Sequence, residues 1–161
     1  MIQGEYINNA IIELATEEAS DRFAAQLALC LKPPLVISFS GEIGTGKTTI
    51  IRAMLKNMGV TSTIKSPTFS LVETYFCNEI PIHHFDLYRI HHEDELDYLG
   101  FRDYFSPQSI CCIEWAEHAG KALPAIDIRF KLDIKGAGRE MHINASSEAG
   151  KIILACLAGR S

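Results

Sequence analysis

Leu35-Val36-Ile37-Ser38-Phe39-Ser40-Gly41-Glu42-Ile43-Gly44-Thr45-Gly46-Lys47-Thr48-Thr49-Ile50-Ile51 decides the fold. Its opening residues, up to Ser40, are a short apolar run, as a strand buried on both faces requires. Glycines follow at 41, 44 and 46. Beyond them Ile50, Ile51, Met54, Leu55 and Met58 recur on one side of a helical period that Gly59 closes. The pattern G-x-x-x-x-G-K-[ST] occurs once, from Gly41 to Thr48, in the strand–turn–helix context that gives it meaning. Glycine lets the backbone turn tightly and bring its N–H groups against phosphate oxygens. The helix beginning near Lys47 aims its positive end at the same anion. The reading is a P-loop for a nucleoside triphosphate, with Gly41, Glu42, Ile43, Gly44, Thr45, Gly46, Lys47, Thr48 and Thr49 as binding residues. The Thr48 hydroxyl is the expected magnesium ligand.

Working outward, residues 10–15 are apolar enough for a short strand. Thr16 then opens a helix, with Glu17 and Glu18 in the first turn and Phe23, Leu27 and Leu31 at helical spacing. Pro33-Pro34 ends it. Downstream, residues 69–76 and 79–88 are strands around a turn at Asn78, an antiparallel hairpin added to the sheet. Residues 93–99 form a short helix ended by Gly100, and 109–113 a buried strand. Residues 126–134 and 140–145 form a hairpin around Gly136-Ala137-Gly138, and 147–157 a terminal helix. The expected fold is α/β: a single P-loop NTPase domain over residues 1–161, with a mixed parallel and antiparallel sheet flanked by helices.

Composition sets limits. The chain is 47% apolar and 22% charged, the balance of an ordinary globular protein. No apolar run approaches the roughly 20 residues of a membrane span. Residues 1–9 carry Glu5 and no Lys or Arg, so they do not read as a signal peptide, and a cytoplasmic protein is expected. The net charge is −5, with no basic stripe, so any contact with RNA is indirect, through a partner that supplies the positive surface. The five cysteines include no C-x-x-C pair, and reduced, mostly buried thiols are expected. His83-His84 and His91-His92 do not suggest a metal site, because adjacent histidines on a strand point to opposite faces.

A P-loop needs an acid at the end of a neighbouring strand to hold magnesium. Glu114 follows Ile110-Cys111-Cys112-Ile113, as it would at the end of a central parallel strand. Asp86 follows the less apolar Ile82-His83-His84-Phe85. Pattern alone favours Glu114, with Asp86 able to reach the metal directly or through water. The guanine-reading N-K-x-D motif is absent, and Asp97-Tyr98-Leu99-Gly100 reads as a helix end, so the default ligands are ATP and ADP with Mg2+.

Beside the P-loop stand Ser66-Pro67-Thr68-Phe69, His84-Phe85-Asp86-Leu87-Tyr88-Arg89 and Ile113-Glu114-Trp115. In order and spacing these motifs resemble the bacterial TsaE (YjeE-like) family, ATPases of tRNA threonylcarbamoyladenosine biosynthesis, from about Leu14 to Ala145. The resemblance implies ATP hydrolysis that is slow alone, is stimulated by the TsaD and TsaB proteins, and resets their complex. TsaD would transfer the threonylcarbamoyl group to the adenosine beside the anticodon. By position, Thr68 would sense the γ-phosphate from a switch-like loop, Asp86 and Glu114 would be the acids at the metal and the attacking water, and Trp115 would stand beside the nucleotide. Tyr88 and Arg89 would face the partner or the nucleotide. Ala116 follows Trp115 where the family often has proline. Two other readings stand against this one: a free-standing kinase of a small metabolite, with Arg89 or Arg102 as lid residues, and a nucleotide-gated binding module without hydrolysis.

Overall fold

Two hydroxyl caps begin the long helices at either end of the chain. Thr16 Oγ1 accepts from the Ala19 N–H at 3.1 Å ahead of α1 (Glu17–Cys30), and Ser147 Oγ from the Gly150 N–H at 3.0 Å ahead of α4 (Glu148–Leu157). The computed structural model describes residues 8–64 and 71–159. The other strands and α-helices are β1 (Asn9–Leu14), β2 (Leu35–Ser40), α2 (Lys47–Asn57), β3 (Val72–Cys77), β4 (Ile80–Asp86), α3 (Asp94–Asp97), β5 (Ile110–Glu114), β6 (Ile128–Lys135) and β7 (Gly138–Ala145), with 3-10 turns at Phe101–Tyr104 and Ala116–Ala122. Asp97 to Gly100 is a helix end, as expected, with Gly100 left-handed at φ 64°. No helix among the described residues is long and apolar enough to cross a membrane.

The strands form one seven-stranded sheet in the order β1-β7-β6-β2-β5-β4-β3. Its centre is parallel: β2 pairs with β5 and β6, and β5 with β4. Its flanks are antiparallel: β7 and β1 on one side, β3 on the other. The mixed sheet and both expected hairpins are therefore present. The hairpin of β6 and β7 is joined to the sheet in a way that local pattern does not specify. Its first strand runs parallel to β2, and its second accepts the N-terminal β1 at the edge.

Strands buried on both faces need two covering layers. On one face Ile37, Phe39, Cys112, Ile128 and Phe130 meet Phe23 and Leu27 of α1, Ile51, Met54 and Leu55 of α2, and Ile153 and Leu154 of α4. On the other, Phe85, Cys111 and Ile113 meet Leu87, Leu96, Phe101, Ala116 and Ala119 from the connections. Phe130 is fully buried, with its ring 4.9 Å from that of Phe39 and 5.8 Å from that of Phe23.

The expectation of reduced thiols is corrected. Cys30 at the end of α1 and Cys156 near the end of α4 form a disulfide, their Cα atoms 5.9 Å apart. The two residues are 126 positions apart, so the pairing depends on α4 returning across the sheet to lie beside α1. Cys111 and Cys112 are buried thiols, and Cys77 is partly buried. Burial raises both buried thiols: Cys111 is pushed up to about 12 and Cys112 well above its ordinary value.

Two outcomes follow. Alkylation of the denatured, unreduced protein should label Cys77, Cys111 and Cys112, and proteolysis should release the peptides of Cys30 and Cys156 linked, as mass spectrometry would read. Phe130→Ala should destabilise the chain by about 3–5 kcal/mol in urea unfolding, through lost burial and the cavity left between its ring neighbours.

Candidate functional site

Parallel strands place all their C-terminal ends on one edge of the sheet, where open α/β sheets bind ligands. Here β2 ends at Ser40, β5 at Glu114 and β4 at Asp86, and the register sets Phe39 opposite Glu114 and Glu114 opposite Asp86. The loop leaving β2 is pinned from beneath. At Gly41, φ is 136° and a Cβ would run into the carbonyl oxygen of Leu132, so only glycine passes. Thr45 Oγ1 donates to the Glu42 carbonyl at 2.9 Å and braces the turn. Gly46, left-handed at φ 102°, hands the chain to α2.

The side chains that chemistry needs are then close together. Lys47 is buried, and its ammonium donates to the carbonyls of Gly41 and of Glu42, the latter at 3.3 Å. The same Nζ lies 4.7 Å from the centre of the Trp115 ring, within cation–π range. Trp115 has φ 58°, in a region that a non-glycine residue occupies at a cost of order 1–2 kcal/mol. Such strain collects at functional sites, and here it swings the indole off the end of β5 and over the lysine. Tyr88 packs on the indole, with ring centres 5.0 Å apart. Thr48 Oγ1 donates to Glu114 Oε1 at 3.1 Å and lies 3.3 Å from Oε2. Glu114 is 2% exposed.

A pocket of about 420 Å³ collects Ile43, Gly44, Thr45, Gly46, Lys47, Thr48 and Thr49 with Asp86, Glu114, Trp115, Tyr88 and Arg89. Gly41 and Glu42 stand behind it and act through their carbonyls on Lys47. Thr68, with the rest of Ser66–Phe69, lies outside the described residues. A second pocket of about 510 Å³ shares Gly44, Thr45, Gly46 and Thr49 with the first and opens toward Thr16, Ser20 and Arg139.

A family model described as "Threonylcarbamoyl adenosine biosynthesis protein TsaE" matches residues 14–142. The chain belongs to the TsaE family. A Haemophilus influenzae "tRNA threonylcarbamoyladenosine biosynthesis protein TsaE" is 40% identical over 128 residues, 80% of this chain and 81% of that protein. Bacillus subtilis and Rickettsia felis proteins of the same description are 36% identical over 121 residues and 34% over 142. They cover 75% and 86% of this chain, and 74% and 82% of their own lengths. In fold, the chain is similar to a crystal structure of Bacillus subtilis YdiB, with a TM-score of 0.76, 24% identity, and coverage of 94% of this chain and 95% of that one. The pathway of the TsaE family is thus tRNA threonylcarbamoyladenosine biosynthesis, and its P-loop fold is a nucleotide-binding one.

Two residues at this TsaE site carried no assigned role in the motifs. His84 is 1% exposed, and its Nε2 lies 2.7 Å from Glu114 Oε2. The alternation that separates His83 from His84 was readable. His83 indeed turns to the other face, toward Thr74 Oγ1 at 2.8 Å and the Tyr104 ring. The choice of Glu114 as the partner of His84 was not readable, because it is made across strands. Arg139 of β7 donates through Nε to the Thr45 carbonyl at 2.8 Å and through Nη1 to the Gly138 carbonyl at 2.9 Å. It ties the β6–β7 hairpin to the loop, and a lone arginine in a weakly patterned hairpin carries no local sign of that.

Burial pushes the Asp86 carboxyl above its ordinary value. The Tyr88 N–H, which donates to Oδ1 at 3.1 Å, opposes the shift, and the neighbouring Glu114 charge adds to it. Protonated Asp86 therefore contributes its full stability below the unfolded value of 3.8, and the contribution is lost as pH rises through the higher folded value. Asp86→Asn should raise the melting temperature at neutral pH in the absence of nucleotide. That gain should shrink as pH is lowered toward 3.8, as paired melting curves over a pH series would register.

Proposed function

We propose that this chain is the Mg2+-dependent ATPase of tRNA threonylcarbamoylation, slow alone and stimulated by the TsaD and TsaB proteins, whose complex it resets. It acts in the cytoplasm as a single domain over residues 1–161 and meets tRNA only through those partners. The observation that carries this reading is the contact of Thr48 with Glu114, with Asp86 in register beside it: a P-loop hydroxyl and two strand-end carboxylates at one point.

The donors suit magnesium. A hydroxyl and two carboxylates form the hard, all-oxygen set that this ion takes. Asp86 and Glu114 also raise each other's energy as like charges, which a cation would relieve. Thr48, Glu114 and Asp86 would hold the ion, which when bound neutralises charge on the phosphate oxygens. Lys47 would turn from the Gly41 and Glu42 carbonyls to the β- and γ-phosphates, and the amides of residues 41–46 would hold the same oxygens. Glu114, or Asp86 beside it, would orient the attacking water. Trp115 would close over the phosphates. Thr68 would act as the γ-phosphate sensor, a role that rests on the family motif. With the acids and Lys47 on one side of the loop, the nucleoside would leave toward the second pocket, between α1 and Arg139.

Turnover of ATP measured alone and with both partner proteins tests the reading, with strong stimulation expected. Fast phosphoryl transfer to a small metabolite without partners would sink it in favour of a kinase. Glu114→Gln should cut turnover by about a hundredfold or more while ATP still binds. Lys47→Ala should weaken ATP binding by about tenfold to a hundredfold, the loss of a charged hydrogen bond. If cells carrying Glu114→Gln keep the tRNA modification, a binding module without hydrolysis is the better description.

A further inference from the structure

We propose that His84 is a positioning residue for Glu114, the group that anchors its carboxylate from the core and so holds it against the P-loop hydroxyl of Thr48. The proposal rests on the ATPase reading above and adds to it a residue with no assigned part in that site.

The geometry begins in the sheet. His84 on β4 is the register partner of Cys112 on β5, and Glu114 is two residues further along β5, on the same face as Cys112. That is the diagonal relation across which a long side chain reaches its neighbour. Ile82 and Cys112 on this face pack into the apolar layer that contains α2, so the imidazole sits in an apolar surround. There, among the described residues, it makes one polar contact, Nε2 to Glu114 Oε2 at 2.7 Å. Its Nδ1 is buried and has no hydrogen-bond partner among the described residues.

A purely structural role explains this badly. A buried nitrogen without a partner loses its hydration and gains nothing, and a leucine of similar reach would fill the space without that penalty. The single contact that remains points at the acid of the site. An ionised carboxylate only accepts hydrogen bonds, so beside Glu114 in that form the proton between the two groups belongs to Nε2, whatever the charge of the ring. With Oε2 held by His84, the carboxylate cannot rotate freely, and both of its oxygens stay within reach of Thr48 Oγ1, Oε1 at 3.1 Å and Oε2 at 3.3 Å. The carboxylate is anchored from the core by His84 and meets the P-loop hydroxyl with both oxygens.

The test compares His84→Leu, His84→Gln, Glu114→Gln and the His84→Leu/Glu114→Gln double variant, each as the full chain with its stimulating partners. His84→Leu should lower kcat by about ten- to a hundredfold with KM and ATP affinity nearly unchanged. His84→Gln should restore most of the loss, because its amide N–H reaches the place of Nε2. In the Glu114→Gln background, His84→Leu should have no further effect, since the two residues act as a unit. Independently of activity, the 1H–15N spectrum of the wild-type chain should contain a slowly exchanging histidine Nε2–H that disappears in both His84→Gln and Glu114→Ala. Wild-type kcat in His84→Leu, a loss that appears in KM, additive effects in the double variant, or the absence of that resonance would each overturn the proposal. If His84→Leu does not fold, the glutamine rescue, read against wild type, and the resonance still decide. If the wild-type chain hydrolyses no ATP even with partners, the ATPase reading fails, while the resonance reports separately on whether His84 holds Glu114.

Discussion

The parallel pairing of β2, β5 and β4 is the constraint on which the rest of the molecule depends. Because the three strands run the same way, their last residues share one edge, and the register places Glu114 opposite both Phe39 and Asp86. The loop that begins at Gly41 therefore emerges beside two carboxylates without any long-range search by flexible segments. A slip of one residue along β5 would turn Glu114 to the other face and put Ile113 in its place, since successive side chains alternate. The apolar packing of Cys112 on one face and Cys111 and Ile113 on the other is what prevents that slip. Core packing and site geometry are here the same restraint.

A second layer of order comes from groups that act on the loop from behind. Leu132 of β6 leaves room only for glycine at Gly41, and Arg139 of β7 grips the Thr45 carbonyl. The β6–β7 hairpin, which carries no recognised motif, thus supports the phosphate site from the far side of β2. It can do so because β6 lies parallel to β2 as its immediate neighbour. The loop residues 41–46 and the two residues that hold them, Leu132 and Arg139, are about 90 positions apart in the chain.

Much of this was legible in the sequence, for local reasons. Thr16 declares its helix by capping, Gly41 to Thr48 declares its turn, and the apolar run before Glu114 declares a central strand. Each signal lies within a few residues of the structure it determines. The features that escaped are those decided between distant segments. Cys30 finds Cys156 only because α4 folds back beside α1. His84 reads as an ordinary packed histidine until the diagonal from β4 to β5 brings it to Glu114. The parallel insertion of β6 next to β2 has no local sign, since an alternating strand looks the same whichever neighbour it joins. Thr68, named by its motif, lies outside the described residues.

Trp115 is the only tryptophan of the chain, and its indole lies against the ammonium of Lys47. The protein therefore carries a built-in optical probe at the point where charge changes when phosphate arrives. Drawing the ammonium away from the ring, or placing an anion beside it, alters the field that the excited indole feels. The emission of the unlabelled protein should for that reason shift with the contents of the pocket alone, with no contribution from a second indole elsewhere to dilute it.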